Sequence, residues 1–217
     1  MSITLSAAER AYRWVKDRIL SGSLAGGELI SEGEVAASLE MSRTPVREAF
    51  LRLEAEGWMK LYPKRGALIV PVPPDEAENV IGARFVVETG AVRVLAGTDR
   101  SGVVRELRAG IERHVANAAA GDVDAFTKED ATFHRILVQG AGNPVLSAFY
   151  DTLRDRQLRM TSASVQRDHA QMQRIIKHHT ELTDLIETGD VEGFSKTLSV
   201  HLTAVHGLRR PPVMLRL

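Results

Sequence analysis

The chain contains no cysteine, which excludes disulfides, thiolate metal sites and cysteine nucleophiles together. That absence fits a reducing cytoplasm. No stretch approaches the roughly 20 consecutive apolar residues of a membrane span. The N-terminus, MSITLSAAERAYRWVK, has no apolar region behind a basic start, so it does not read as a secretory signal. A soluble, cytoplasmic protein is expected. Net charge is missing too: 28 basic residues balance 28 acidic ones, and residues 1–70 carry 10 Lys/Arg against 9 Asp/Glu. A nucleic-acid reader needs a basic stripe rather than a basic whole. Local placement supplies one, because Arg43, Arg47, Arg52, Lys60, Lys64 and Arg65 fall within 23 residues.

What is present is the composition of an ordinary globular protein. The 217 residues are 44% apolar and 26% charged, enough for one large domain or two small ones. Ser6-Ala-Ala-Glu9 is a capping box, followed at helical spacing by Tyr12, Val15 and Ile19 and closed by Gly22. Leu29-Ile30 is a short extended piece. Ser31 and Glu34 form a second capping box, with Val35, Ala36 and Leu39 inward. Ser42-Arg43-Thr44-Pro45-Val46-Arg47 opens another helix, in which Pro45 is tolerated because it lies in the first turn. Val46, Ala49, Phe50 and Leu53 make its buried stripe, leaving Thr44, Arg47 and Glu48 on the opposite face. Gly57 ends it. Residues 58–62 and 67–72 read as strands joined by the basic tip Pro63-Lys64-Arg65-Gly66. Helix, short helix, helix and two-stranded wing make a winged helix-turn-helix over residues 6–72.

Pro71-Val72-Pro73-Pro74-Asp75 marks a break. Residues 75–208 then read as an all-helical antiparallel bundle of about six helices, near 75–97, 101–119, 122–139, 143–163, 165–188 and 190–208. The expected fold class is therefore mostly α, with 209–217 a loose tail. Three helices of the bundle carry ionisable residues on their apolar stripes. Phe126, Asp130, Phe133, His134 and Leu137 share one face; Ile175, His179, Leu182 and Ile186 share a second; Phe194, Leu198, His201 and Val205 share a third. A charged aspartate facing an apolar core costs several kcal/mol unless paired. A lone inward histidine is ordinarily a hydrogen-bonded core residue. Three with an aspartate point to a shared divalent-metal site, and oxygen and imidazole donors suit Zn, Ni, Mn or Fe alike. His178, about 100° around the helix from His179, is expected to be exposed. His114, His169 and His206 have no nameable partner.

Ser-Arg-Thr-Pro-Val-Arg-Glu-Ala at 42–49, with Glu54-Ala-Glu56-Gly57 and the basic tip before Gly66, resembles the GntR family of bacterial regulators over about residues 9–72. That resemblance implies a recognition helix whose amino end enters the major groove of double-stranded DNA. The DNA-contact set would be Ser42, Arg43, Thr44, Arg47 and Arg52, with Lys64, Arg65 and Gly66 from the wing. Arg43 and Arg47 suit bidentate guanine contact or phosphate clamping. The family often has a basic residue where this chain has Gly33, so one contact is expected to be missing. Asp-x-x-x-His at 130–134, His179 followed by Leu182, and His201 resemble the metal positions of the FCD ligand domain of one GntR subgroup. Asn143-Pro144-Val145-Leu146 and Arg84-x-x-x-Glu88 resemble that domain over about residues 75–208, in its shorter variant.

The second resemblance implies a metal held by Asp130, His134, His179 and His201, whose open positions take a small carboxylate effector. Arg84 would clamp that effector, with Asn143 and Arg156 as further pocket candidates. The alternative for Arg84 is an ion pair with Glu88 or Glu76. The expected protein is a homodimeric, ligand-responsive regulator on a pseudo-palindromic operator, not an enzyme. Two alternatives remain at this point. One is a metal-activated hydrolase, against which no further inward carboxylate clearly serves as general base. The other is a metal that only staples the bundle.

Overall fold

The computed structural model describes residues 5–206, so the tail expected at 209–217 lies outside the described residues. The chain divides into two compact units, Met1–Val72 and Pro73–Leu217.

In the first unit, α1 (Ala7–Ser21) starts where Ser6 caps the Glu9 amide, and ends at Gly22 in the left-handed conformation. Strand β1 (Leu29–Ile30) leads to α2 (Glu32–Ser38), opened by the full Ser31/Glu34 capping box. Helix α3 (Arg43–Ala55) follows, then β2 (Met59–Tyr62) and β3 (Gly66–Ile69). Val15, Ile19, Val46, Phe50, Leu53 and Ile69 pack into one core, each at most 1% exposed. The wing is wider than the two strands expected. Strand β1 pairs antiparallel with β3, Ile30 opposite Ala67, giving the order β1-β3-β2. The extended piece expected at Leu29-Ile30 is this strand, but two residues carry too little pattern to show that they pair with β3 and tie the start of α2 to the wing. Gly66 sits where it does for a backbone reason. Its φ is 98°, and a Cβ there would overlap the carbonyl oxygen of Ile30.

The second unit contains seven described helices, α4 (Pro74–Leu95), α5 (Ser101–Ala120), α6 (Val123–Gly140), α7 (Pro144–Asp151), α8 (Arg154–Arg167), α9 (Ala170–Thr188) and α10 (Val191–Val205). The segment expected as one helix over 143–163 is two, α7 and α8. The break lies at Thr152-Leu153, whose amides bond to Phe149 and Tyr150 three residues back. No glycine or proline marks it, so the breaker pattern passes over it. Helix α6 lies against α4, α5, α7 and α8, while α9 packs on α5 and α10, and α10 on α4. Phe126, Phe133, Leu182, Phe194 and Leu198 are fully buried between these helices. No helix among the described residues is long and apolar enough to cross a membrane.

Candidate functional site

The stripes of α6, α9 and α10 converge in the second unit. Asp130, His134, His179 and His201 are each at most 1% exposed, and one ligand atom from each lies within 4.8 Å of all the others. His134 Nε2 is 3.2 Å from His201 Nε2, and Asp130 Oδ1 is 3.5 Å from His179 Nε2 and 3.9 Å from His134 Nε2. Two nitrogens bound to one ion at about 2.1 Å, roughly 100° apart, would show such an N–N separation.

The outer faces of two ligands are occupied, which leaves their inner atoms for something else. Asp130 Oδ2 accepts from Gln157 Nε2 and from Thr161 Oγ1, both at 3.2 Å, from α8. Oδ1 has no hydrogen-bond partner among the described residues. His134 Nδ1 is 2.7 Å from Glu88 Oε2. An ionised carboxylate only accepts, so His134 donates from Nδ1 and its Nε2 turns to the other ligands. Both ring nitrogens of His179 and Nδ1 of His201 are buried without a hydrogen-bond partner among the described residues. Burial, reinforced by the neighbouring histidines, holds His179 and His201 well below the usual histidine range. They therefore present lone pairs at neutral pH. Orphaned buried donors and acceptors are costly, and a divalent cation among them would satisfy Asp130 Oδ1 and the imidazoles together. The residues fit a metal.

Glu88 is the inward carboxylate that the sequence reading did not separate from a surface ion pair. It is 0% exposed, and it accepts from Arg84 Nε at 2.9 Å and from the Tyr150 hydroxyl at 2.6 Å as well as from His134. Burial pushes its carboxyl up, but His134 and Arg84, with the His134 and Tyr150 hydrogen bonds, outweigh that and bring it to about 2. With three donors on it, Glu88 is a fixed acceptor rather than a free base. The signal for it lay on α4, where Ile81, Arg84, Glu88, Ala91 and Leu95 form one inward stripe. Tyr150, Gln157 and Thr161 carried no such signal.

The other expected pocket residues separate. Arg84 is 1% exposed and committed to Glu88 and Tyr150, with Nη2 left unpartnered. Burial works to lower its pKa, while Tyr150, Glu88 and Asp130 raise it beyond the ordinary value, so the cation is permanent. Asn143 does not join the cluster; exposed, it caps α7 by accepting from the Val145 and Leu146 amides. Arg156 lies on the surface, where it donates to Glu76 at 2.8 Å. His178 is half-buried rather than exposed, its ring 5.6 Å from that of His201. His114 is buried edge-on to Phe126 and His179, with neither ring nitrogen bonded.

In the first unit, Ser42, Arg43, Thr44 and Arg47 are exposed at the amino end of α3, and Lys64 and Arg65 at the wing tip. Arg43, Arg47, Lys64, Arg65 and Gly66 line one cleft of about 700 Å³ between α3 and the wing. Ser42 makes no side-chain cap, so the first amides of α3 stay open to an anion. Arg52 is differently engaged. It donates to Glu9 at 2.9 Å and Glu56 at 3.1 Å and stacks 3.7 Å over the Tyr12 ring, holding α3 to α1.

Comparison with known proteins agrees with this two-part layout. Residues 7–69 match the model for bacterial regulatory proteins of the gntR family, and residues 79–204 match the FCD domain. An HTH-type transcriptional regulator of Streptomyces ambofaciens is 31% identical over 199 residues, covering 89% of this chain and 81% of its own. The gluconate operon transcriptional repressor of Bacillus licheniformis is 25% identical over 88% of this chain and 79% of its own. A GntR regulator structure from Rhodococcus sp. RHA1 superposes with a TM-score of 0.74 at 21% identity, covering 95% of this chain and all of that one. With a winged helix-turn-helix on one side and a buried histidine–aspartate cluster in a helical bundle on the other, the chain belongs to the GntR family of bacterial transcription regulators, in the group that carries a C-terminal FCD domain.

Proposed function

We propose that this regulator senses a small carboxylate at a metal site in the helical unit and converts its binding into a change of operator affinity. The observation that carries the reading is the cluster itself. Asp130 Oδ1 and the ring nitrogens of His179 are buried and make no hydrogen bond among the described residues, within a group of ligand atoms no more than 4.8 Å apart. Asp130, His134, His179 and His201 would hold the ion. A bound divalent ion supplies a Lewis-acid attachment point for a carboxylate oxygen. The chain's own residues do the rest. Glu88 holds His134 with Nε2 inward, Gln157 and Thr161 hold Asp130 with Oδ1 inward, and Arg84 offers one free guanidinium nitrogen beside Glu88 and Tyr150. A relative is named as the repressor of a gluconate operon, and gluconate is itself a hydroxy-carboxylate, which supports an organic-acid ligand.

On the DNA side, Arg43 and Arg47 read base edges or clamp phosphates, Ser42 and Thr44 with the open amides of α3 meet phosphate, and Lys64 and Arg65 follow the backbone from the wing. A homodimer would set two such surfaces on a pseudo-palindromic site about one helical turn apart. A coupling of about 1–3 kcal/mol between the two units is enough to change operator affinity roughly 5–150-fold.

A second reading has one observation in its favour. Complete burial of all four ligands is also what a structural metal staple requires. Metal removal separates the two. Stripped protein is titrated with operator DNA, with and without gluconate, then again after re-addition of Zn, Ni, Mn or Fe. A carboxylate response that appears only with metal supports sensing. Lost thermal stability with an unchanged DNA and carboxylate response supports the staple.

A further inference from the structure

Helix α2 runs Glu32-Gly33-Glu34 immediately after its cap, and Gly33 has no local reason to be glycine. Glycine weakens a helix relative to alanine, because it loses more backbone freedom on folding. Its φ is not among the positive values of the chain, so no turn or left-handed cap calls for it. What occupies the space a side chain would need is Arg43, the first residue of α3. A Cβ on Gly33 would stand 3.3 Å from Arg43 Nη2, 3.6 Å from Cζ and 3.7 Å from Nε. The guanidinium thus lies against α2 at Gly33. Among the described residues Arg43 makes no ion pair or side-chain hydrogen bond, although it is exposed. The contact it makes is with α2 at Gly33, not with a charged partner. Both residues line the cleft of about 700 Å³ that also holds Arg47, Lys64 and Arg65.

We propose that Gly33 is a specificity-determining residue: by leaving the start of α2 bare, it sets the angle at which Arg43 enters the DNA groove and so the base pair that Arg43 reads. This rests on the reading of Arg43 as a DNA contact. An arginine recognises guanine through two parallel N–H bonds to O6 and N7, a geometry that a small displacement spoils. A Cβ at position 33 makes the guanidinium give by a few tenths of an ångström, and a longer side chain there competes with it for the same space. The far end of a flexible side chain gives way without disturbing the helix, so the fold survives and the readout shifts.

The test is selection of bound sequences from a randomised double-stranded DNA library by the full chain, by Gly33→Ala and by Arg43→Ala, with thermal melting of each. Arg43→Ala is expected to lose base preference at one position of each half-site. Gly33→Ala is expected to change or weaken preference at that same position, roughly fivefold or more, with the other positions and the salt dependence unchanged and the melting temperature not lowered, since alanine favours the helix. Gly33→Ser should behave as Gly33→Ala does. If Arg43→Ala loses the position while both Gly33 variants keep the wild-type motif, the role of Gly33 is refuted and the reading of Arg43 stands. Uniform weakening at all positions in the Gly33 variants refutes it equally. Arg43→Ala with the wild-type motif, or a wild type that selects no motif, overturns both.

Discussion

At the scale of single residues, Glu88 shows how a buried charge is kept. Its carboxylate takes three donors, from Arg84, His134 and Tyr150, and none of the four groups is more than 2% exposed. Removing one member of a buried ion pair leaves the other uncompensated, at about 3–5 kcal/mol. Glu88→Ala is therefore expected to destabilise the helical unit by about that amount in denaturant titration. Glu88→Gln keeps the shape and removes the charge that orients His134. Metal affinity in a competition titration should fall roughly 10–100-fold, with helical content retained; unchanged affinity would remove Glu88 from the site. Gly66 illustrates the opposite case, a residue chosen by backbone alone. Gly66→Ala forces a φ of 98° on an L-residue and an overlap with the Ile30 carbonyl. About 2 kcal/mol of stability should be lost from the winged unit in denaturant titration followed by tryptophan fluorescence. A loss below about 0.5 kcal/mol would contradict that account.

The elements themselves differ in how openly the sequence displays them. Helices α6, α9 and α10 each bury a stripe at helical spacing, and Asp130, His134, His179 and His201 lie on those stripes, so their burial follows from periodicity, while their meeting at one point comes from the packing of the three helices. Glu88 was legible by the same logic on α4, since it and Arg84 interrupt an inward apolar face. Its role was not legible, because only the packing of α4 against α6 brings it to His134 Nδ1. Strand β1 reads as a short extended piece, but nothing in two residues shows that they pair with β3, and the α7–α8 break is made by backbone bonds without a glycine or proline to mark it. Gln157, Thr161 and Tyr150 are neutral polar residues on helices, with no charge to mark burial as unusual. Asn143 reads as a functional residue and as a helix cap with equal ease, and its two bonds to the α7 amides give it the second role.

For the whole molecule, the distribution of histidine sets how stability responds to pH. All seven lie beyond residue 72, and both tryptophans, Trp14 and Trp58, lie before it. Burial lowers His114, His179, His201 and His206 from the ordinary 6.5, His206 to about 3. Below about 6.5 the unfolded chain takes up protons that the folded chain refuses, so falling pH favours unfolding. The stability of the helical unit is thus complete above about 6.5 and declines as the pH drops through the interval beneath it. Glu88 acts in a lower window. Its contribution is present above 4.5 and lost as the pH falls toward 2. In metal-stripped protein, the urea midpoint seen by helical circular dichroism should fall between pH 7.5 and pH 5, and the tryptophan-reported midpoint should not follow it. A common shift in both signals, or a flat helical midpoint, would contradict this division.

Whether Asp130 and the three histidines form one metal site is read from the metal content of purified protein. Wild type is compared with His134→Ala and His179→Ala, each checked for helical content. Near-stoichiometric divalent metal is expected in the wild type and none in either variant. A wild type that takes up no metal even after incubation with divalent ions, or variants that retain it in full, would contradict the account.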